Sequence, residues 1–180
     1  MFKKLFSVAS LTLGLAFPAL ALDAAKEYEI KAAFFFNLGK FVTWPDRSFK
    51  SADAPLYICV LGNDPFGERL DVITANQTIF GHPVAVRRIT KATEALGCHS
   101  VFISDSEQLR VPAIFATLKN QPVLTVSDMD NFVVQGGMVQ FFPRDNKIRL
   151  MLDPETFSDA SLKAGSRLMQ LAQSVKNKNQ

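Results

Sequence analysis

The sequence predicts an α/β protein: a three-layer α/β/α sandwich around a mixed, mainly parallel sheet of about five to six strands, with a C-terminal hairpin plus helix. Two observations carry this. Short continuous apolar runs, such as Leu56-Tyr57-Ile58-Cys59-Val60-Leu61, alternate with segments of helical periodicity, and strands that are apolar on both faces are those covered by helices on both sides. Helical periodicity also flanks this alternation at both ends, which supplies covering layers and a route for parallel crossovers.

Each element has a local reason. Residues 25–42 read as a helix stopped by Trp44-Pro45, because proline disfavours helical geometry at the residue before it. The run at 56–61 is closed by Gly62-Asn63-Asp64-Pro65 and reads as a buried parallel strand, followed by a helix over 66–75. Pro83 to Ile89 is the next strand and Ser100 to Ser104 a short apolar third. A helix at 111–119 leads to the strand 123–126. Gly136-Gly137 opens a hairpin, Met138 to Phe142 and Ile148 to Leu152, turning at Arg144-Asp145-Asn146-Lys147. Asp153-Pro154-Glu155 is a cap, a first-turn proline and an acid, and it starts a last helix carrying Leu162, Leu168, Leu171, Ala172 and Val175.

Ahead of these elements stands a leader, residues 1–21: Lys3 and Lys4, an apolar run from Leu5 to Phe17, then Ala19-Leu20-Ala21. This is the pattern of a cleavable signal peptide, and the run is shorter than the roughly 20 apolar residues of a membrane span. The folded domain is expected at 22–175, about 159 residues remaining after cleavage with a short disordered tail at 176–180. Loss of Lys3 and Lys4 leaves 18 basic against 17 acidic side chains. A nearly neutral chain with scattered cations lacks the electrostatic footprint of nucleic-acid binding. In an exported protein the two cysteines, Cys59 and Cys98, are expected to pair, with two buried free thiols as the alternative.

Candidates for chemistry are thin. Gly62-Asn63-Asp64-Pro65-Phe66-Gly67 lacks the lysine of a phosphate loop. Cys98 and His99 are strand neighbours that point apart. Cys59, Cys98, His82 and His99 lack the close-paired spacing of zinc ligands, and Asp128 and Asp130 lack a calcium loop. No catalytic residue, metal or cofactor is therefore assigned. Arg144, Lys147 and Arg149 surround the hairpin, and with Arg87 and Arg88 on a strand that could lie near they could hold a small anion.

The first helix raises a separate question. At 100° per residue, Ile30, Phe34, Asn37, Leu38 and Phe41 form one stripe, expected to face the sheet with Asn37 pinning a loop. Tyr28, Phe35 and Val42 form a second strip, with Phe36 standing apart. One face cannot bury three consecutive phenylalanines, so Phe35, Phe36, Tyr28 and Val42 are candidates for covering by the last helix or by a partner protein.

The ordered motifs together resemble the YfiR family of exported proteins over nearly the whole mature chain. They are Lys31-Ala32-Ala33 through Asn37, Lys40-Phe41 and Trp44-Pro45; Cys59-Val60-Leu61-Gly62 with Pro65-Phe66; Gly81; Cys98 with Phe102-Ile103-Ser104; Pro122 to Val126; Phe132; Gly136-Gly137-Met138; and Ser166-Arg167-Leu168 with Leu171-Ala172. The resemblance implies a periplasmic, non-enzymatic regulator that forms homodimers. It would repress a membrane-bound diguanylate cyclase by binding its periplasmic sensor domain, until an outer-membrane lipoprotein sequesters it. Cyclic di-GMP output, biofilm formation and motility would follow. The family's disulfide maps onto Cys59 and Cys98. This chain has Leu150 and Asp153 where the family usually has phenylalanine and asparagine, and no counterpart of a second cysteine pair found in some members. The alternative is a small-ligand sensing module, for an anion, nucleotide or amino acid, acting on another receptor such as a sensor kinase.

Overall fold

The structure is a computed structural model that describes residues 19–174. The expected tail at 176–180, and all but the last three residues of the expected leader, lie outside the described residues.

Helix α1, Ala19–Leu38, gives way to one turn of 3-10 helix at Gly39–Phe41 and a two-residue strand β1, Val42–Thr43. The helix thus ends before Trp44-Pro45, at Gly39, where a Cβ would lie 2.7 Å from the Ile79 side chain. Strand β2, Leu56–Leu61, is followed by α2, Glu68–Thr74, then β3, Thr78–Ile79, and β4, His82–Ile89. Strand β5, Ser100–Ile103, leads through a 3-10 segment to α3, Val111–Leu118, and β6, Leu124–Ser127. The hairpin is β7, Val139–Arg144, with β8, Lys147–Leu152. Its turn residues Asp145 and Asn146 both have positive φ, the backbone a two-residue hairpin loop needs.

The expected single last helix is not formed. Instead the chain makes α4, Pro154–Asp159, β9, Lys163–Ala164, α5, Ser166–Leu171, and β10, Gln173–Ser174. The Asp153 carboxylate does cap α4, accepting from the Glu155 amide at 3.0 Å. Ser161 at φ 58° then ends the helical path, and β9 pairs antiparallel with β1 (Val42 opposite Ala164). Of the residues whose spacing suggested one helix, Leu162 is buried in the turn before β9 and Leu168 is buried in α5.

The main sheet has eight strands in the order β10-β8-β7-β6-β5-β2-β4-β3. Strands β4, β2, β5, β6 and β7 are mutually parallel; β8 runs antiparallel to β7 and β3 antiparallel to β4. The two-residue edges β3 and β10 carry no periodicity, which is why five to six strands were legible in the sequence. Alternation along β2 feeds two cores. Leu56, Ile58 and Val60 join Phe35 of α1, Leu70 of α2, Phe157 of α4 and Leu168 of α5. Cys59 and Leu61 join Ile114 and Leu118 of α3 on the opposite face. Helices on both faces of a mainly parallel sheet make this an α/β fold.

Candidate functional site

In an open parallel sheet the usual ligand crevice lies where the chain first reverses direction across the sheet, at the carboxyl ends of the strands. Here that point lies between β2 and β5, and the protein fills it with itself. Gly62, at φ 89°, has no space for a side chain: a Cβ would sit 2.5 Å from Ser106 Oγ and 2.8 Å from Glu107 Cγ. The Asn63 amide donates to Ser106 Oγ at 2.9 Å, and buried Glu107 accepts from Arg110 Nη2 at 2.5 Å. The neighbouring Gly62–Gly67 loop holds a cation: Arg88 Nε donates to Asp64 at 2.9 Å and Arg88 Nη1 to Asp71 at 2.7 Å. That guanidinium lowers the Asp71 carboxyl from its ordinary value.

Beside this end of the sheet, α1 is anchored by Lys31. This residue is 4 % exposed, and its ammonium lies 2.5 Å from Glu27 and 2.6 Å from Asp128 at the end of β6. Asp128 therefore meets a lysine of the same chain. Burial, then the Asp128 charge and hydrogen bond, push the Tyr28 hydroxyl well above its usual range and keep it protonated.

This anchor fixes the rotation of α1 and corrects the helical wheel. Phe35 is fully buried, stacked on Phe66 at 6.0 Å and 5.8 Å from Phe102. Phe36 is buried beneath the Lys40 ammonium, 4.4 Å from the ring centroid. Val42 is buried in β1, and Tyr28 is half-buried, edge-on to Phe66 at 6.0 Å. Phe35, Phe36 and Val42 are covered by this chain and offer no docking surface, and Tyr28 is partly covered. Among the described residues of the helix the exposed large apolar side chains are Ile30 and Phe34, the pair expected to face the sheet. Phe34 still touches the core through Phe141 of β7, at 6.3 Å. Asn37 does not pin a loop: its side-chain N–H donates to the Ala33 carbonyl one turn back, at 2.8 Å.

The hairpin cations are brought partly together. Register places Arg144 opposite Lys147 and Phe142 opposite Arg149, so all three cations share one face of the hairpin. Arg144 and Arg149 line a cleft of about 320 Å³ with Asp145, Leu171 and Gln173. Arg87 and Arg88 do not contribute, because β7, β6, β5 and β2 lie between β8 and β4.

A disulfide joins Cys59 in β2 to Cys98 just before β5, with Cα atoms 6.1 Å apart. This removes the thiolate that Cys98 would offer His99 and the sulfur ligands of a zinc site. The histidines are occupied as well: His82 and His99 stack on Phe49 at 3.8 and 4.4 Å. His99 Nδ1 accepts from the Tyr57 amide at 3.0 Å while Nε2 lies 3.1 Å from the Ser48 carbonyl, so the neutral ring carries its proton on Nε2. Burial lowers His99 to about 4, with the charges of His82 and Arg87 adding to it. Sequence reasoning missed Lys31 and His99 as structural centres; the one signal was a lysine inside an otherwise apolar helix segment.

A family model described as YfiR/HmsC-like matches residues 28–173. No curated protein matches the chain significantly. The matched span includes the Lys31 anchor, both bonded cysteines and the hairpin, and on that match the chain belongs to the YfiR/HmsC-like family.

Proposed function

We propose that this chain is a periplasmic, non-enzymatic repressor that binds the periplasmic sensor domain of a membrane-bound diguanylate cyclase and lowers cyclic di-GMP output. Family membership supports the class of function. The leader pattern and the disulfide support an oxidising compartment. The observation that carries the docking mode is on α1: its buried face is satisfied within the chain, while Ile30 and Phe34 remain 41 % and 37 % exposed. Homodimerisation and sequestration by an outer-membrane lipoprotein belong to the same proposal.

The test replaces Phe34 with Glu. Binding to a purified cyclase periplasmic domain, followed by calorimetry, falls at least tenfold while the thermal midpoint moves by only a few degrees. Unchanged binding removes this face from the interface. A second reading is a small-ligand sensing module acting on another receptor such as a sensor kinase, favoured by the shared face of Arg144, Lys147 and Arg149. Titration with nucleotides and amino acids, with Arg149→Gln as control, tests it.

A further inference from the structure

At the amino ends of β2 and β5, opposite the filled crevice, lies a cleft of about 440 Å³. That volume is in the range of small-molecule sites. Three cations line it, Arg47, Lys50 and Arg87, and no carboxylate does. Among the described residues none of the three has a carboxylate within ion-pair distance.

Arg87 is held ready. It stands beside Cys59 in the parallel pairing of β4 with β2. Its guanidinium lies 3.3 Å over the Tyr57 ring. Gly97 flanks it, with a Cβ direction reaching Nη1 at 3.7 Å. Among the described residues its N–H groups have no hydrogen-bond acceptor. A planar fork fixed by stacking loses little entropy on meeting a carboxylate. Ser48 also lines the cleft, and behind that wall its Oγ is buried without a hydrogen-bond partner. Buried hydroxyls are ordinarily paired. Phe49, Leu96 and Pro122 give the wall an apolar part beside Gln121 and His99, and Leu96 is 49 % exposed.

We propose that this cleft binds a small organic carboxylate, with Arg87 donating to the ligand and Phe49, Leu96 and Pro122 flanking its apolar body. The site is separate from the hairpin cations and is independent of which receptor the protein restrains. A bare inorganic anion would leave the apolar wall unused, and a neutral ligand would leave Arg87 unpaired.

The experiment is calorimetric titration of the full mature protein with phenylacetate, 2-naphthoate, 2-naphthamide and inorganic phosphate. Saturable one-to-one binding of at least one carboxylate with Kd below about 1 mM is expected. The naphthamide binds at least tenfold more weakly than 2-naphthoate. Arg87→Gln lowers carboxylate affinity at least tenfold, whereas Arg149→Gln leaves it unchanged. In the unmodified protein the amide resonances of Ser48, Tyr57 and Leu96 shift on titration, a readout that does not depend on any variant folding. Absence of binding by both carboxylates overturns the proposal. So does equal affinity for the naphthamide, displacement by phosphate at equal concentration, or a loss confined to Arg149→Gln.

Discussion

Phe35 shows how much one side chain decides in this fold. Its ring lies between Phe66 and Phe102, fully removed from water. Replacing it with alanine removes that contact on several sides at once and should cost about 3 to 5 kcal/mol, read as a lowered urea midpoint. The contrast with Phe34→Glu, one position earlier, separates core from surface. His99 gives a pH dependence with a definite sign. Its folded value of about 4 lies below the ordinary 6.5, so between these two values the unfolded chain binds a proton that the folded chain refuses. Stability is full above about pH 6.5, falls as pH drops toward 4, and levels off below it. Urea midpoints across this window should show the slope, and His99→Asn should flatten it. The sequence displayed a histidine next to a cysteine. It could not display that the ring nitrogens face Tyr57 and Ser48, which lie 42 and 51 residues away.

Among the elements, strands were the most legible. Strand β2 runs from Leu56 to Leu61 as its apolar run indicates, and the hairpin turns at Asp145-Asn146 as its composition indicates. Helix α1 was located correctly but rotated wrongly, and the reason is physical. Five consecutive apolar residues, Ala32 to Phe36, mark no unique stripe, and the orientation of the helix is set by the Lys31 contact to Asp128, 97 positions away. The terminal segment failed for a related reason: leucines at helical spacing carry no signal of the turn at Ser161 or of an extended tie, which leave Leu162 outside a helix and Leu168 within α5. That tie includes the Gly165 amide donating to the Phe41 carbonyl at 2.7 Å. Gly165 has φ −67° and ψ 151°, which proline accepts, but Gly165→Pro deletes the donor and drives the ring into the Phe41 carbonyl, against which even a Cβ would stand at 3.1 Å. The expected loss is more than the about 1 kcal/mol of the hydrogen bond alone, seen as a thermal midpoint lower by several degrees.

For the molecule as a whole, the covalent link matters most. It joins positions 39 apart in sequence, and on the chain-entropy model a loop of that length contributes about 4 kcal/mol. The double variant Cys59→Ala/Cys98→Ala should therefore melt about 10 °C lower, as should the reduced protein. Compartment reasoning made the pairing legible; the order of the strands was not, because parallel pairing joins residues far apart in the chain. Neither was the amino-end cleft, whose lining comes from five separate stretches between Arg47 and Val123.

The same bond sets how the chain responds to a protease. The turn at Phe80 and Gly81 lies inside the closed loop, and Phe80 is 66 % exposed. A single cut there releases nothing. The two pieces stay tethered through Cys59 and Cys98, with β2 of one piece still paired between β4 and β5 of the other, and they separate only under reducing and denaturing conditions.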